Sequence, residues 1–189
     1  MTPRKQGDKM STMATQTTIS LEEYLKTVPD PDVEYVNGSL KERPLVSCWH
    51  GIIQSEICSW FTSHRKEWKL LAGVEVRMQT TPTTVHLPDV VVDTIWDWPP
   101  VLVKPPLVAI EILSPGDSMS YLEGKCDAYS SMGIANIWIV NPMLRNGRIW
   151  KNGEWFQATR FEVAGTSVYL DLEWLFSQID DLKKSEFQS

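Results

Sequence analysis

Two acids and one amine stand out by their surroundings. Asp89 lies in the run Leu87-Pro88-Asp89-Val90-Val91-Val92, Glu111 in Val108-Ala109-Ile110-Glu111-Ile112-Leu113, and Lys125 follows shortly after. A carboxylate inside a β-branched run loses hydration worth several kcal/mol unless a cation or hydrogen-bond donors replace the water. Something cationic is therefore expected beside both acids. Neighbouring strands sit ~4.8 Å apart, so acids on successive strands can share one ion. Hard oxygen ligands in a chain with 3 His favour Mg²⁺ or Mn²⁺ over zinc. Mg²⁺ keeps several waters and uses only one or two protein carboxylates, and the Ile112 carbonyl can add a backbone ligand. Such a site suits phosphate oxygens.

Lys125 matters through its place on a helix. Leu122, Lys125 and Tyr129 fall at i, i+3 and i+7, so the lysine shares the stripe that packs on a sheet, while Glu123 and Asp127 take the other side. It is thus directed toward Glu111. In phosphodiester hydrolysis its amine would orient or help deprotonate a water, or stabilise charge on the pentacoordinate phosphorus. A plainer reading stands beside this one: Asp89 after a proline caps a strand start, and Glu111 with Lys125 forms a structural ion pair, which also perturbs titration.

The elements that must position these groups form one mixed α/β set. Residues 1–18 are polar and aperiodic and read as a disordered leader. Ser20-Leu21-Glu22-Glu23 has capping-box form and opens a short helix to Lys26, ended by Pro29 and Pro31. Asn37-Gly38 marks a hairpin within Val33 to Leu45. Ile53, Ile57, Trp60, Phe61, His64 and Trp68 share one face of a helix from His50 to Trp68, with His50 on that inner face and able to contact a phosphate. Leu70 to Thr80 and Thr84 to Thr94 read as strands, the second carrying Asp89, and Leu107 to Leu113 as a central strand covered on both faces. A helix follows from Ser120 to Met132, stopped by Gly133, then a buried strand from Asn136 to Val140. A terminal hairpin turns at Asn152-Gly153, Leu172 to Ile179 closes as a helix, and 183–189 is a tail.

With 189 residues and 42% hydrophobic content including 9 Trp, the chain suits one domain, placed at 19–182. A net charge of −6 argues against coating nucleic acid through the overall field, but not against a local cleft in which bound divalent ions reverse the sign. Three unpaired-looking cysteines fit neither a disulfide framework nor a zinc cluster. No apolar run approaches the ~20 residues of a membrane span, so a cytoplasmic protein without a membrane partner is expected. Trp150, Trp155 and Phe156 could stack on bases or form core or dimer interface, and Arg145, Arg148, Lys151 and Arg160 could track a phosphate backbone or form a solvated face.

Pro88-Asp89, then Glu111, then a lysine, in this order and at these spacings, resemble the PD-(D/E)XK nuclease superfamily, specifically its bacterial restriction endonuclease-like subfamily, long known as a domain of unknown function. The resemblance runs from about Ile19 to Leu182. It takes in Val33-Glu34-Tyr35-Val36-Asn37-Gly38, the His50 helix, Leu87-Pro88-Asp89-Val90, Glu111-Ile112-Leu113-Ser114-Pro115, Lys125 to Tyr129, Gly133 and Ile137-Trp138-Ile139-Val140-Asn141-Pro142. It implies a restriction endonuclease-like core, a central mixed sheet flanked by helices. It also implies an endonuclease hydrolysing DNA with Mg²⁺ or Mn²⁺, working as a homodimer. The superfamily's lysine usually stands two residues after the Glu; here that position is Leu113, and the role passes to Lys125. Glu34 matches the family's first acidic motif, where it would support the metal site through a water, with turn stabilisation as the alternative. Its rival Glu56 points away from the Ile53, Ile57, Phe61 stripe. Against the enzyme stands a non-catalytic scaffold, dimerising or binding nucleic acid, that keeps the nuclease fold, because fold alone does not establish activity.

Overall fold

The computed structural model describes residues 19–27, 33–43, 47–95 and 97–185; the expected leader, and with it Pro29, Pro31 and Leu45, lie outside the described residues. Helix α1 (Leu21–Lys26) starts at Ser20, whose side chain and that of Glu23 cap each other's backbone amides. Strands β1 (Val33–Val36) and β2 (Ser39–Glu42) turn at Asn37 and Gly38, both at positive φ (48° and 88°), as a tight hairpin of matching twist requires. Helix α2 (Cys48–Ser63), capped by Ser47, is followed by the single turn α3 (Arg65–Trp68). The chain continues through β3 (Leu70–Val74), β4 (Met78–Thr81), β5 (Thr84–His86), β6 (Val90–Thr94) and β7 (Val108–Ile112). Helix α4 (Met119–Met132) begins at Ser118 and ends at Gly133, φ 104°. Then come β8 (Asn136–Asn141), β9 (Asn146–Lys151), β10 (Glu154–Ala158), β11 (Arg160–Glu162), β12 (Tyr169–Asp171) and α5 (Leu172–Ser185).

A six-stranded sheet, order β10-β9-β8-β7-β6-β3, forms the centre. It is mixed: β7 and β8 run parallel with α4 as their crossover, whereas β6 pairs with β7 antiparallel. Side-chain alternation divides its two faces. Val90, Val92, Val108, Ile110 and Ile112 join Ile53, Ile57, Phe61, Leu175 and Phe176 in a core beneath α2 and α5. Val91, Ala109, Ile137 and Ile139 join Leu122, Cys126 and Tyr129 beneath α4. Glu111 shares the parity of Ala109, so it emerges on the α4 face. Central strand β7 is buried on both faces, as an apolar run interrupted only by Glu111 requires.

Four expectations need correction. The stretch from Leu70 to Thr80 is two strands, β3 and β4, in different sheets. The stretch from Thr84 to Thr94 likewise divides at 87–89, so Asp89 stands just before β6 and not within a strand. The strands so released build a second sheet, β2-β1-β5-β4, and β11 with β12 forms a small third pair. The long helix opens two residues earlier than His50 and breaks at His64, whose Nδ1 lies 2.8 Å from the Trp60 carbonyl and whose ring stacks on Trp68.

Candidate active site

One cleft gathers the acids and the lysine from three elements and two sheets. Asp89, Glu111, Lys125, Glu34 and His50 all line it, together with Lys41, Arg43, Ser114 and Tyr121. Glu56 is not among its lining residues. The β6/β7 register pairs Val90 with Ile110, and one step further sets Asp89 opposite Glu111. Asp89 Oδ2 accepts the Ile112 amide at 2.7 Å. A strand residue points its N–H and C=O to the same side, so the Ile112 carbonyl faces Asp89 too.

Lys125 is enclosed by acids. Its Nζ lies 2.9 Å from both Glu111 oxygens and 3.0 Å from Glu34 Oε1. Tyr129, one helical turn on, donates to Glu111 Oε1 at 2.6 Å, and the Tyr121 hydroxyl donates to Glu34 Oε2 in a very short bond. The Leu87 amide donates to Glu34 Oε1 at 3.1 Å. Glu34 of β1 is thereby tied to α4 and to the link leading into β6.

These contacts set the charges. Burial works against ionising Glu34, but Lys125, His86, Tyr121 and the Leu87 amide outweigh it and hold the carboxyl down to about 2. Burial likewise opposes the Asp89 charge, yet the neighbouring His50 imidazole, Lys125 and the Ile112 amide keep it below the usual range. Glu111 goes the other way: burial, with Asp89 and Glu34 nearby, raises it to about 7 against the pull of Lys125. The Lys125 ammonium, though buried, is held above its ordinary range by Glu111, Glu34 and Asp89. Lys125 is therefore a fixed cation here, which favours charge stabilisation over proton abstraction.

Sequence reasoning missed several members of this network. Arg43 Nη2 donates to Asp89 Oδ1 at 2.7 Å, and Gln54 Nε2 to the Asp89 carbonyl at 2.7 Å. His50 Nδ1 lies 3.1 Å from Ser114 Oγ, whose backbone amide donates to Asp117 Oδ2 at 2.6 Å. His50 Nε2 is 3.3 Å from Asp89 Oδ1, buried and without an aligned hydrogen bond. Tyr129 sits on the helical stripe already identified, and its hydroxyl was the available clue. Arg43, Gln54 and Tyr121 carry no periodic signal that would place them here.

The surface features resolve mainly into packing. Trp150 is buried, its ring meets Trp155 at 4.4 Å, and Trp155 Nε1 donates to Glu123 of α4. Arg145 pairs with Asp180 and Arg160 with Glu162, local partners for half of the basic cluster. Among the described residues no helix is long and apolar enough to cross a membrane.

Residues 21–170 match the family described as Uma2, putative restriction endonuclease. A crystal structure of a putative nuclease belonging to DUF820 from Anabaena variabilis is similar over 84% of this chain and 98% of that one, with 26% identity and a TM-score of 0.69. A cryo-EM structure of a DrdV–DNA complex aligns with 69% of this chain and 11% of that one at 14% identity and a TM-score of 0.40, too distant to inform the site. No curated protein matches. The acids, lysine and mixed sheet thus occur in a chain that shares its fold with that putative nuclease and belongs to the Uma2 family of putative restriction endonucleases.

Proposed function

We propose that this protein is a divalent-metal-dependent endonuclease that hydrolyses DNA phosphodiester bonds, with Mg²⁺ or Mn²⁺ as the ion. The observation that carries the reading is the facing pair Asp89 and Glu111 in one cleft, with Lys125 pinned between Glu111 and Glu34. Three buried carboxylates, Glu34, Asp89 and Glu111, meet here, with Lys125 and Arg43 as their ion-pair partners and Lys41 also lining the cleft.

The donor set fits a hard cation. Among the described residues no three His, Cys, Asp or Glu side chains form a ready metal cluster. Mg²⁺ retains most of its water and takes only one or two carboxylates from a protein, so Asp89 and Glu111 are enough side-chain ligands. Asp89, Glu111 and the Ile112 carbonyl would hold it, with His50 Nε2 3.3 Å from Asp89 Oδ1 in the same wall. When bound, the ion supplies Lewis acidity at a phosphate oxygen and a lowered pKa for attacking water. Tyr129 fixes the Glu111 carboxylate, and Glu34 fixes Lys125. The Lys125 ammonium supports the charge that develops on phosphorus as water adds and the leaving oxygen departs. His50, Lys41 and Arg43 line the same cleft and would meet a phosphate backbone bound in it. A homodimer would present two such sites to two strands.

Supercoiled, linear and single-stranded DNA should be incubated with Mg²⁺ or Mn²⁺ and either the parent or Asp89→Ala. The parent is expected to nick or cut, and the variant to lose at least ~10²-fold in rate. Binding without cleavage by the folded parent would leave the scaffold reading in possession.

A further inference from the structure

Arg43 lies at the centre of the metal reading without serving it. Its Nη2 is 2.7 Å from Asp89 Oδ1 and its Nη1 is 2.7 Å from Glu75 Oε1. The Asp89 side chain is 5% exposed, that of Arg43 17% and that of Glu75 39%, so the guanidinium spans from a buried acid to one at the rim. The rest of Asp89 is held by groups that do not move away. Its carbonyl accepts from Gln54 Nε2 and from the Glu75 amide at 3.3 Å, and Oδ2 accepts from the Ile112 amide. Oδ1 faces Arg43 and, at 3.3 Å, His50 Nε2, and of these two the guanidinium, tied also to Glu75 at the rim, is the one that can swing away. Glu75 itself takes a positive φ of 50°, an uncommon conformation for a residue with a side chain, kept where the surroundings enforce it.

A divalent ion approaches a carboxylate oxygen to about 2.0–2.1 Å, and a guanidinium in contact with the same oxygen would be repelled by it. The two therefore compete for Oδ1. We propose that Arg43 is the resident counter-cation of Asp89 in the metal-free protein, that it exchanges with the divalent ion, and that Glu75 retains the freed guanidinium at the cleft mouth. This rests on the metal reading above. Arg43 is a positioning residue in this scheme: it sets the affinity for the ion by competing for one oxygen, and it keeps a buried carboxylate from standing unpaired when no ion is present.

The test is calorimetric titration of Mn²⁺ into the full chain without DNA, comparing the parent with Arg43→Gln, Arg43→Lys, Glu75→Gln and Asp89→Asn. Arg43→Gln should bind Mn²⁺ about tenfold more tightly than the parent, since nothing charged must be displaced. Glu75→Gln should bind more weakly, because the guanidinium has lost its second anchor, and Asp89→Asn should not bind. Equal affinities in the parent, Arg43→Gln and Glu75→Gln, with binding lost in Asp89→Asn, would overturn the exchange and leave the metal site standing. Absence of Mn²⁺ binding in the parent and in every Arg43 variant would remove the metal reading and the exchange together. If circular dichroism shows Arg43→Gln unfolded, Arg43→Lys decides: its single ammonium cannot bridge both acids, so tighter binding than the parent supports the exchange and unchanged binding rejects it.

Discussion

Lys125 holds two carboxylates that come from different sheets, and its loss should be felt in stability before chemistry. Lys125→Met leaves Glu34 and Glu111 buried without their shared cation, a kind of change that costs roughly 3–5 kcal/mol. Urea denaturation should show this as a lower midpoint, and cleavage normalised to the folded fraction should still fall ~10²-fold. His86 offers a second test. Burial, with Lys125 and Lys41 nearby, holds its imidazole at about 4 against an ordinary 6.5, despite the attraction of Glu34. Between those values the unfolded chain binds a proton that the folded one rejects, so this residue removes up to about 3 kcal/mol of stability as pH falls through the window. Glu111, raised to about 7 from 4.5, acts oppositely, because the folded state takes up its proton first and gains stability as pH falls through that range. In the parent the two partly cancel. His86→Gln, which can keep the hydrogen bond to Thr80, should therefore become more stable relative to the parent on acidification from pH 7 to 4.5. Parallel melting curves for the two proteins across that range would contradict the assignment. The acids and Lys125 were legible in the sequence because a charge within an apolar pattern demands a partner. Arg43 and Tyr121 were not, since their partners lie 46 and 87 residues away and nothing local marks them.

At the scale of elements, the sequence was clearest where a local rule decides the outcome. Both Asn-Gly turns adopt positive φ at each residue, and the capping box at Ser20 and the stop at Gly133 stand where the residue types place them. The breaks in 70–81 and 84–94 were not legible, because apolar alternation has the same period on either side of a crossing between sheets. The chain makes that crossing at 75–77 and again at 87–89, which is what brings Asp89 to the edge of the cleft. Strand β9 carries a further constraint that composition does not reveal. A Cβ at Gly147 would lie 2.4 Å from Phe161 Cζ and 2.5 Å from Leu172 Cδ1, where β11 and α5 close on the sheet. Its backbone is of a kind that alanine tolerates, so the penalty is one of space. Gly147→Ala should destabilise by about 1–3 kcal/mol in chemical denaturation, with no change in metal affinity.

For the whole molecule, the cleft is a joint between two sheets and α4. Glu34 comes from the four-stranded sheet, Glu111 from the six-stranded one, Asp89 from the link that leads into β6, and Lys125 from the helix between the parallel strands. An ion bound there would hold the joint together. Mg²⁺ at 100 times its dissociation constant should stabilise the fold by about 2.7 kcal/mol, visible as a raised melting temperature that Asp89→Asn abolishes. A melting temperature indifferent to millimolar Mg²⁺ or Mn²⁺ would speak for the scaffold instead.

The parallel pairing of β7 with β8 also bears on how the chain reaches its native state. Parallel neighbours cannot close through a short hairpin, so this ladder waits for α4 to form and cross over. Glu111 stands near the end of β7 and Lys125 midway along the α4 crossover, and Glu34 must arrive from a hairpin 91 residues before Lys125. In the unfolded chain these charges are hydrated, and docking of the two sheets and α4 buries them together. The groups that define the site come from both sheets and α4, so a nascent chain carries no competent cleft until α4 has left the ribosome and Lys125 can dock between Glu34 and Glu111.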